Sequence, residues 1–338
     1  MKAFWIPAMI FLAMIIAVLI SNGCTGKADG AAPSKTMAGT KLPEREVWTG
    51  WNQYQIPDYT EAGRQIQYGY ELIANTSYYL GPRGTVAALT NGMNCQNCHL
   101  KGGTVPYGNN FGKVFATYPL YRARNNGIQD IYERVNDCFQ RSLNGKKLDT
   151  ASKEMQAIYA YIKWLGDGIP RGKVLAGTSI MKLPFMNRAA DPQLGRVAYQ
   201  AKCVSCHGTD GGGAANAEGT GYTYPPLWGS HSFNDGAGLF RLASMAGFIK
   251  NNMPFGATYR DPQLTDEEAW DIAAYINSQS RPAFDQHEDW QILSKKPLDM
   301  PYGPYIDSFS QQQHKYGPYG PIEIAQAAAK SRMEKTKE

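Results

Sequence analysis

Long runs of one charge are missing from this chain of 338 residues: its longest basic runs are Lys146-Lys147 and Lys295-Lys296, and the formal net charge is only +5. A surface that follows a phosphate backbone needs clustered cations, so nucleic-acid binding is excluded as a class and any recognition of anions must be local. Long hydrophobic runs are almost as scarce. Residues 3–20 (AFWIPAMIFLAMIIAVLI) are apolar and nothing comparable follows, which excludes a multi-span membrane protein. Charged residues at 19% and hydrophobic residues at 43% lie near ordinary globular usage, which excludes wholesale disorder. With 35 glycines and 20 prolines, turns and irregular segments should separate short helices.

The one apolar stretch sits behind a single Lys2 and ends at Ser21-Asn22-Gly23-Cys24, the layout of an export signal. Residues 1–23 are read as that signal, although the run is just long enough to stay in place as an N-terminal anchor. Gly23-Cys24, followed by a polar segment, resembles a bacterial lipoprotein cleavage site at which Cys24 becomes the lipidated first residue. Either way the protein is expected to be exported and to work in the periplasm or on the outer surface, tethered to a membrane by lipid or anchor alone.

Four of the six cysteines stand in Cys95-Gln96-Asn97-Cys98-His99 and Cys203-Val204-Ser205-Cys206-His207. This spacing is the attachment motif of haem c: two thiols form thioethers with the haem vinyl groups, and the adjacent histidine reaches the iron. Two covalently bound haem c groups are therefore expected, held by Cys95 and Cys98 with His99, and by Cys203 and Cys206 with His207.

The motifs anchor an internal repeat. An amphipathic stretch precedes each, Gly63 to Ala74 and Leu194 to Ala201, and a helical pattern closes each unit at 154–162 and 268–276 with a shared Ala-Tyr-Ile. Asp266 or Thr265 should cap the second closing helix, and Pro170 and Pro282 follow the two helices as stop signals. That order resembles the class I cytochrome c fold, which implies a mainly α protein with two such domains in tandem and irregular extensions. The boundaries read as a tether and extension at 24–58, a first domain at 59–172, a linker at 173–190, a second domain at 191–285 and a tail at 286–338. Its Tyr-Gly-Pro-Tyr-Gly-Pro run suggests a tail wrapped over the domains except for about its last ten residues.

The sixth iron ligands separate the halves. Between His207 and its closing helix lie His231, Met245, Lys250 and Met253, and Met253 stands in Asn-Met-Pro-Phe-Gly, the usual setting of a distal methionine; Met245 reads better as core. A thioether ligand raises the reduction potential and suits an electron relay. The first half has neither Met nor His between His99 and its closing helix, but it has Cys138. In an oxidising compartment a free thiol is a liability unless used. Cys138 is open to three readings: a disulfide with Cys24, an inert buried thiol, or a ligating or reactive thiolate. Arg122, Arg124, Arg134 and Arg141 surround it in sequence, and on a helix over 128–141 positions 134, 138, 141 and 142 share a face. Guanidinium groups there favour the thiolate and offer paired donors to a small sulfur or oxygen dianion; they could equally bind haem propionates or stay solvated.

Taken in order, the first haem motif, Tyr-Arg-Ala-Arg, Val-Asn-Asp-Cys-Phe-Gln-Arg-Ser-Leu-Asn-Gly, the second haem motif, Asn-Met-Pro-Phe-Gly and the tail run resemble the dihaem thiosulfate dehydrogenases over residues 45–325. The resemblance implies a catalytic haem held by His99 and Cys138 and a relay haem held by His207 and Met253. It also implies a substrate pocket of Arg124, Arg134 and Ser142, with Arg122 a weaker match. Some members carry a lysine directly before the distal methionine and exchange the two ligands; Asn252 stands there in this chain, so lasting His207/Met253 ligation is expected. The implied reaction joins two thiosulfates into tetrathionate, reversible in principle, and sends electrons to a small c-type cytochrome. The remaining readings are a haem subunit of a carrier-dependent sulfur-oxidising complex and a non-catalytic tethered electron shuttle.

Overall fold

Thr60 opens the first helix, α1 (Glu61–Ala74), by accepting a hydrogen bond from the backbone of Gly63. The structure, a computed structural model, describes residues 47–50, 53–57 and 59–335. The expected export signal and Cys24 lie outside the described residues. Among those described, no helix is long and apolar enough to cross a membrane.

The first half continues through a hairpin, β1 (Leu120–Arg122) against β2 (Gly127–Gln129), then α2 (Ile131–Arg141) and α3 (Lys153–Leu165). In the second half the corresponding frame is α4 (Pro192–Lys202), α5 (Leu242–Asn252) and α6 (Asp266–Ser278). The second closing helix is capped by Thr265, whose hydroxyl accepts from Glu268 N while the Glu268 carboxylate accepts from Thr265 N; Asp266 lies inside the first turn. A tail helix pair follows, α7 (Gln311–Tyr316) and α8 (Tyr319–Lys335).

Each half is built on one helix crossing. A Cβ on Gly69 of α1 would lie 2.0 Å from the Ala157 carbonyl oxygen of α3, and one on Gly195 of α4 would lie 1.8 Å from the Asp271 carbonyl oxygen of α6. The helices touch through backbone, and only glycine permits it. Tyr161 and Tyr199, both buried, then donate to the carbonyls of Gly102 and Gly208, at 2.9 and 2.7 Å, and so tie each crossing to the loop after its Cys-X-X-Cys-His motif. Replacing Gly195 with Ala is expected to cost about 3 kcal/mol in chemical denaturation, the upper end for overpacking. A loss below about 0.5 kcal/mol would show that the pair simply slides apart.

Three local features differ from the sequence reading. The helix bearing Cys138 starts at Ile131 rather than 128, because Gly127–Gln129 pairs with β1 and Asp130 takes the cap position, its side chain accepting from Glu133 N. The tail wraps the second half, with Tyr316, Tyr319 and Ile322 buried, yet it does so as helix. Pro321 is tolerated because it falls in the first turn of α8, where no intrahelical N–H bond is lost. Beyond Ala329 the helix loses cover, and residues 331–335 are exposed though still helical.

Candidate functional site

Two apolar cavities sit on the Cys-X-X-Cys-His motifs. The first, about 420 Å³, has Cys95, Cys98 and His99 in its lining together with Cys138, Ile73, Phe139 and Ile158. The second, about 670 Å³, is lined by Cys203, Cys206, His207 and Met253 with Met245, Ile249 and Ile272. Cys98, Met93 and Asn94 line both, so one stretch of chain forms a shared wall.

These residues fit haem c by their own chemistry. The motif cysteines are free thiols, and no disulfide consumes them. His99 Nδ1 faces the Asn109 carbonyl and His207 Nδ1 lies 3.0 Å from the Pro225 carbonyl. Each carbonyl can only accept, so Nδ1 carries the proton in both rings and Nε2 keeps its lone pair for a metal. Burial supports the neutral ring in both, pushing His99 down to about 4 and lowering His207. His99 also stacks on Phe111 at 4.3 Å between centroids, which fixes its plane.

The distal candidates sort by position. In the second half Met253 and Met245 both reach the cavity, whereas His231 is exposed and outside its lining. The Lys250 ammonium is engaged elsewhere, 2.6 Å from the Leu264 carbonyl and 2.8 Å from Asp266. In the first half Cys138 is free and lines the cavity, and its Sγ accepts from Arg134 Nη1 at 3.1 Å, one helical turn away. The Arg134 guanidinium is raised above its ordinary value, chiefly by its electrostatic interaction with Cys138.

Beside the first cavity opens a smaller polar pocket of about 190 Å³, and all five residues expected at a substrate site line it: Arg122, Arg124, Arg134, Cys138 and Ser142. The hairpin supplies Arg122 from the end of β1 and Arg124 from its turn; α2 supplies Arg134 and Cys138, and Ser142 is its C-cap. Arg124 is held by a 2.8 Å bond from Nη1 to the Gly236 carbonyl of the second half, and burial lowers its guanidinium to about 10.

Other members of the pocket escaped the sequence reading. Arg141 is read there as one of the guanidinium groups around Cys138, but its paired contact with Asp289, 2.7 and 2.8 Å, is not. Arg241 and Ser244 come from the second half, with Arg241 bound to Asp299 at 2.8 and 2.5 Å, and Trp290 comes from the tail. No local pattern marks them, since Asp289 reaches Arg141 across 148 positions of sequence. Guanidinium groups outnumber the carboxylates that meet them, so the pocket suits a small dianion that can lie against the Cys138 sulfur.

The SoxA/TsdA cytochrome c domain family matches residues 86–170 and the cytochrome c family matches residues 192–280. Curated relatives include the thiosulfate dehydrogenase of Allochromatium vinosum, 42% identical over 58% of this chain and 72% of its own length. That of Stutzerimonas stutzeri is 38% identical over 65% and 68%, and that of Psychrobacter arcticus 36% over 84% and 78%. Among solved structures, the thiosulfate dehydrogenase (TsdBA) from Marichromatium purpuratum superposes with a TM-score of 0.64 at 31% identity. The match covers 70% of this chain but only half the length of that one. Two cytochrome c domains imply covalently bound haem c, and two cavities on two motifs are consistent with two such groups.

Proposed function

Because the chain belongs to the thiosulfate dehydrogenase family of cytochrome c oxidoreductases, we propose that it joins two thiosulfates into tetrathionate and passes two electrons to a small c-type cytochrome. The observation that carries this reading is Cys138 Sγ, 3.1 Å from Arg134, standing at once in the wall of the first cavity and in the arginine-lined pocket.

In this reading His99 and Cys138 hold the first haem, joined through Cys95 and Cys98, and His207 and Met253 hold the second, joined through Cys203 and Cys206. Bound haem iron supplies the one-electron acceptors that neither thiosulfate nor any side chain here provides. The residues do the rest. Arg124 and Arg134, with Arg122 and Ser142 beside them, grip the sulfonate oxygens and leave the outer sulfur against Cys138. Two thiosulfates carry four negative charges, and their repulsion must be offset before the outer sulfurs can meet. The guanidinium surplus offsets it. One sulfur–sulfur bond forms, two electrons depart, and no proton is exchanged, so the pocket needs no general base. Nothing in that balance fixes a direction, and tetrathionate can be reduced by the same site. We also read the protein as exported and tethered through Cys24.

Purified holoprotein mixed with thiosulfate should show haem reduction, and with an artificial acceptor should release one tetrathionate per two thiosulfates. Haem-loaded protein that stays oxidised in thiosulfate would overturn the reading.

A further inference from the structure

A segment of the tail forms part of the wall of the anion pocket. Trp290 lines that pocket and is 9% exposed, yet its indole Nε1–H has no hydrogen-bond partner among the described residues. A buried donor left unpaired costs free energy comparable to a lost hydrogen bond, so such a group usually marks a partner still to arrive. The segment is held firmly in place. Trp290 N donates to the Arg124 carbonyl at 2.8 Å, its backbone is in the left-handed region at φ 61°, and the preceding Asp289 carboxylate is clamped on Arg141. The Arg124 guanidinium lies over the indole, 5.4 Å from the ring centroid, and its own Nε makes no hydrogen bond, standing 3.9 Å from Asp289 Oδ2.

We propose that Trp290 is a substrate-binding residue, its indole N–H donating to a sulfonate oxygen of thiosulfate while its ring seats Arg124. The proposal rests on the thiosulfate reading and deepens it. The orphan donor, Trp290 Nε1, would find its acceptor in the terminal SO₃ group, which offers three oxygens to a pocket that Trp290 and Arg124 both line. The indole adds a neutral donor of fixed direction to a pocket dominated by guanidinium groups, and a neutral donor does not raise the repulsion among them. On this account the site is incomplete without the tail: an element some 150 residues from the haem-binding helix completes the contact with substrate.

Thiosulfate binding is measured by calorimetry on electrochemically reduced holoprotein, where no electrons can be accepted and binding is separated from turnover. Trp290→Phe keeps an aromatic plate but removes the donor, and affinity should fall about tenfold, the value of a hydrogen bond to a charged acceptor. Trp290→Ala also loses the seat of Arg124 and should fall further. β-(3-benzothienyl)alanine at 290, which replaces N–H by sulfur at nearly constant shape, should repeat the Phe result with a melting temperature no lower than the parent's, because an unpaired buried donor has been removed. A purely structural role would lower melting temperature and leave affinity alone. Thiosulfate affinity within twofold of the parent in the isosteric variant overturns the proposal. A parent protein that binds no thiosulfate overturns the functional reading and the proposal with it.

Discussion

Cys138→Ala is expected to keep both haems attached and to lose thiosulfate oxidation by a factor of about 10³ or more, the scale seen when a group acting directly on the reacting atoms is removed. The two halves of that expectation come from different parts of the chain. Haem attachment depends on Cys95, Cys98, Cys203 and Cys206, which lie in or at the ends of the short helical turns of the two motifs, whereas Cys138 sits on α2. Haem content by the pyridine haemochrome should therefore be unchanged. The loss of turnover follows from position: Cys138 is the residue shared by the apolar cavity and the anion pocket that also takes a bond from Arg134. Removing the sulfur leaves Arg134 beside an empty site and frees it to draw in an anion, so thiosulfate should still bind. Binding without reduction is the signature. A variant that oxidises thiosulfate at a tenth of the parent rate or faster would show that the sulfur is structural, and the arginines alone would then have to carry the chemistry.

What the sequence made legible follows from how local each constraint is. Haem attachment needs five contiguous residues, so the motifs declare themselves, and the closing helices show because α3 and α6 bury one face at helical spacing. That Arg122, Arg124, Arg134, Cys138 and Ser142 line one pocket could be anticipated because they lie within one hairpin, one helix and that helix's C-cap. The opposite wall was not. Arg241 and Trp290 belong to the second half and the tail and line the pocket, and Asp289 reaches Arg141 behind it, all through tertiary contacts that leave no period or spacing in the sequence. The tail also hid its helix, since a Pro- and Gly-rich run reads as irregular chain until a proline is seen to occupy a first turn. The glycines at the helix crossings were visible as residues but not as contacts. Their meaning appears only when Ala157 and Asp271 are found against them.

The strap that carries Trp290 should fail through one carboxylate, Asp289, which is paired closely with Arg141 and more loosely, at 3.9 Å, with Arg124 Nε. Arg141 and Asp289 have side chains only 9% and 8% exposed, and the carboxylate meets two guanidinium nitrogens. Such a pair adds little over a well-packed apolar pair, but losing one member strands a buried charge. Asp289→Ala is therefore expected to cost about 3 kcal/mol in denaturant unfolding. It should also weaken thiosulfate binding, because Arg141 loses its anchor and the neighbouring Trp290 its tether. The double variant Arg141→Met/Asp289→Leu removes both charges, keeps volume against the Phe284 ring that Arg141 covers at 4.3 Å, and should recover more than half of the lost stability. Affinity should not recover with it, since a guanidinium has left the pocket. Stability and binding thus part company in one double-mutant cycle. Were the double variant as unstable as Asp289→Ala, the tail would be held by apolar packing around Phe284 rather than by charge. Arg141 would then be present for the anion alone.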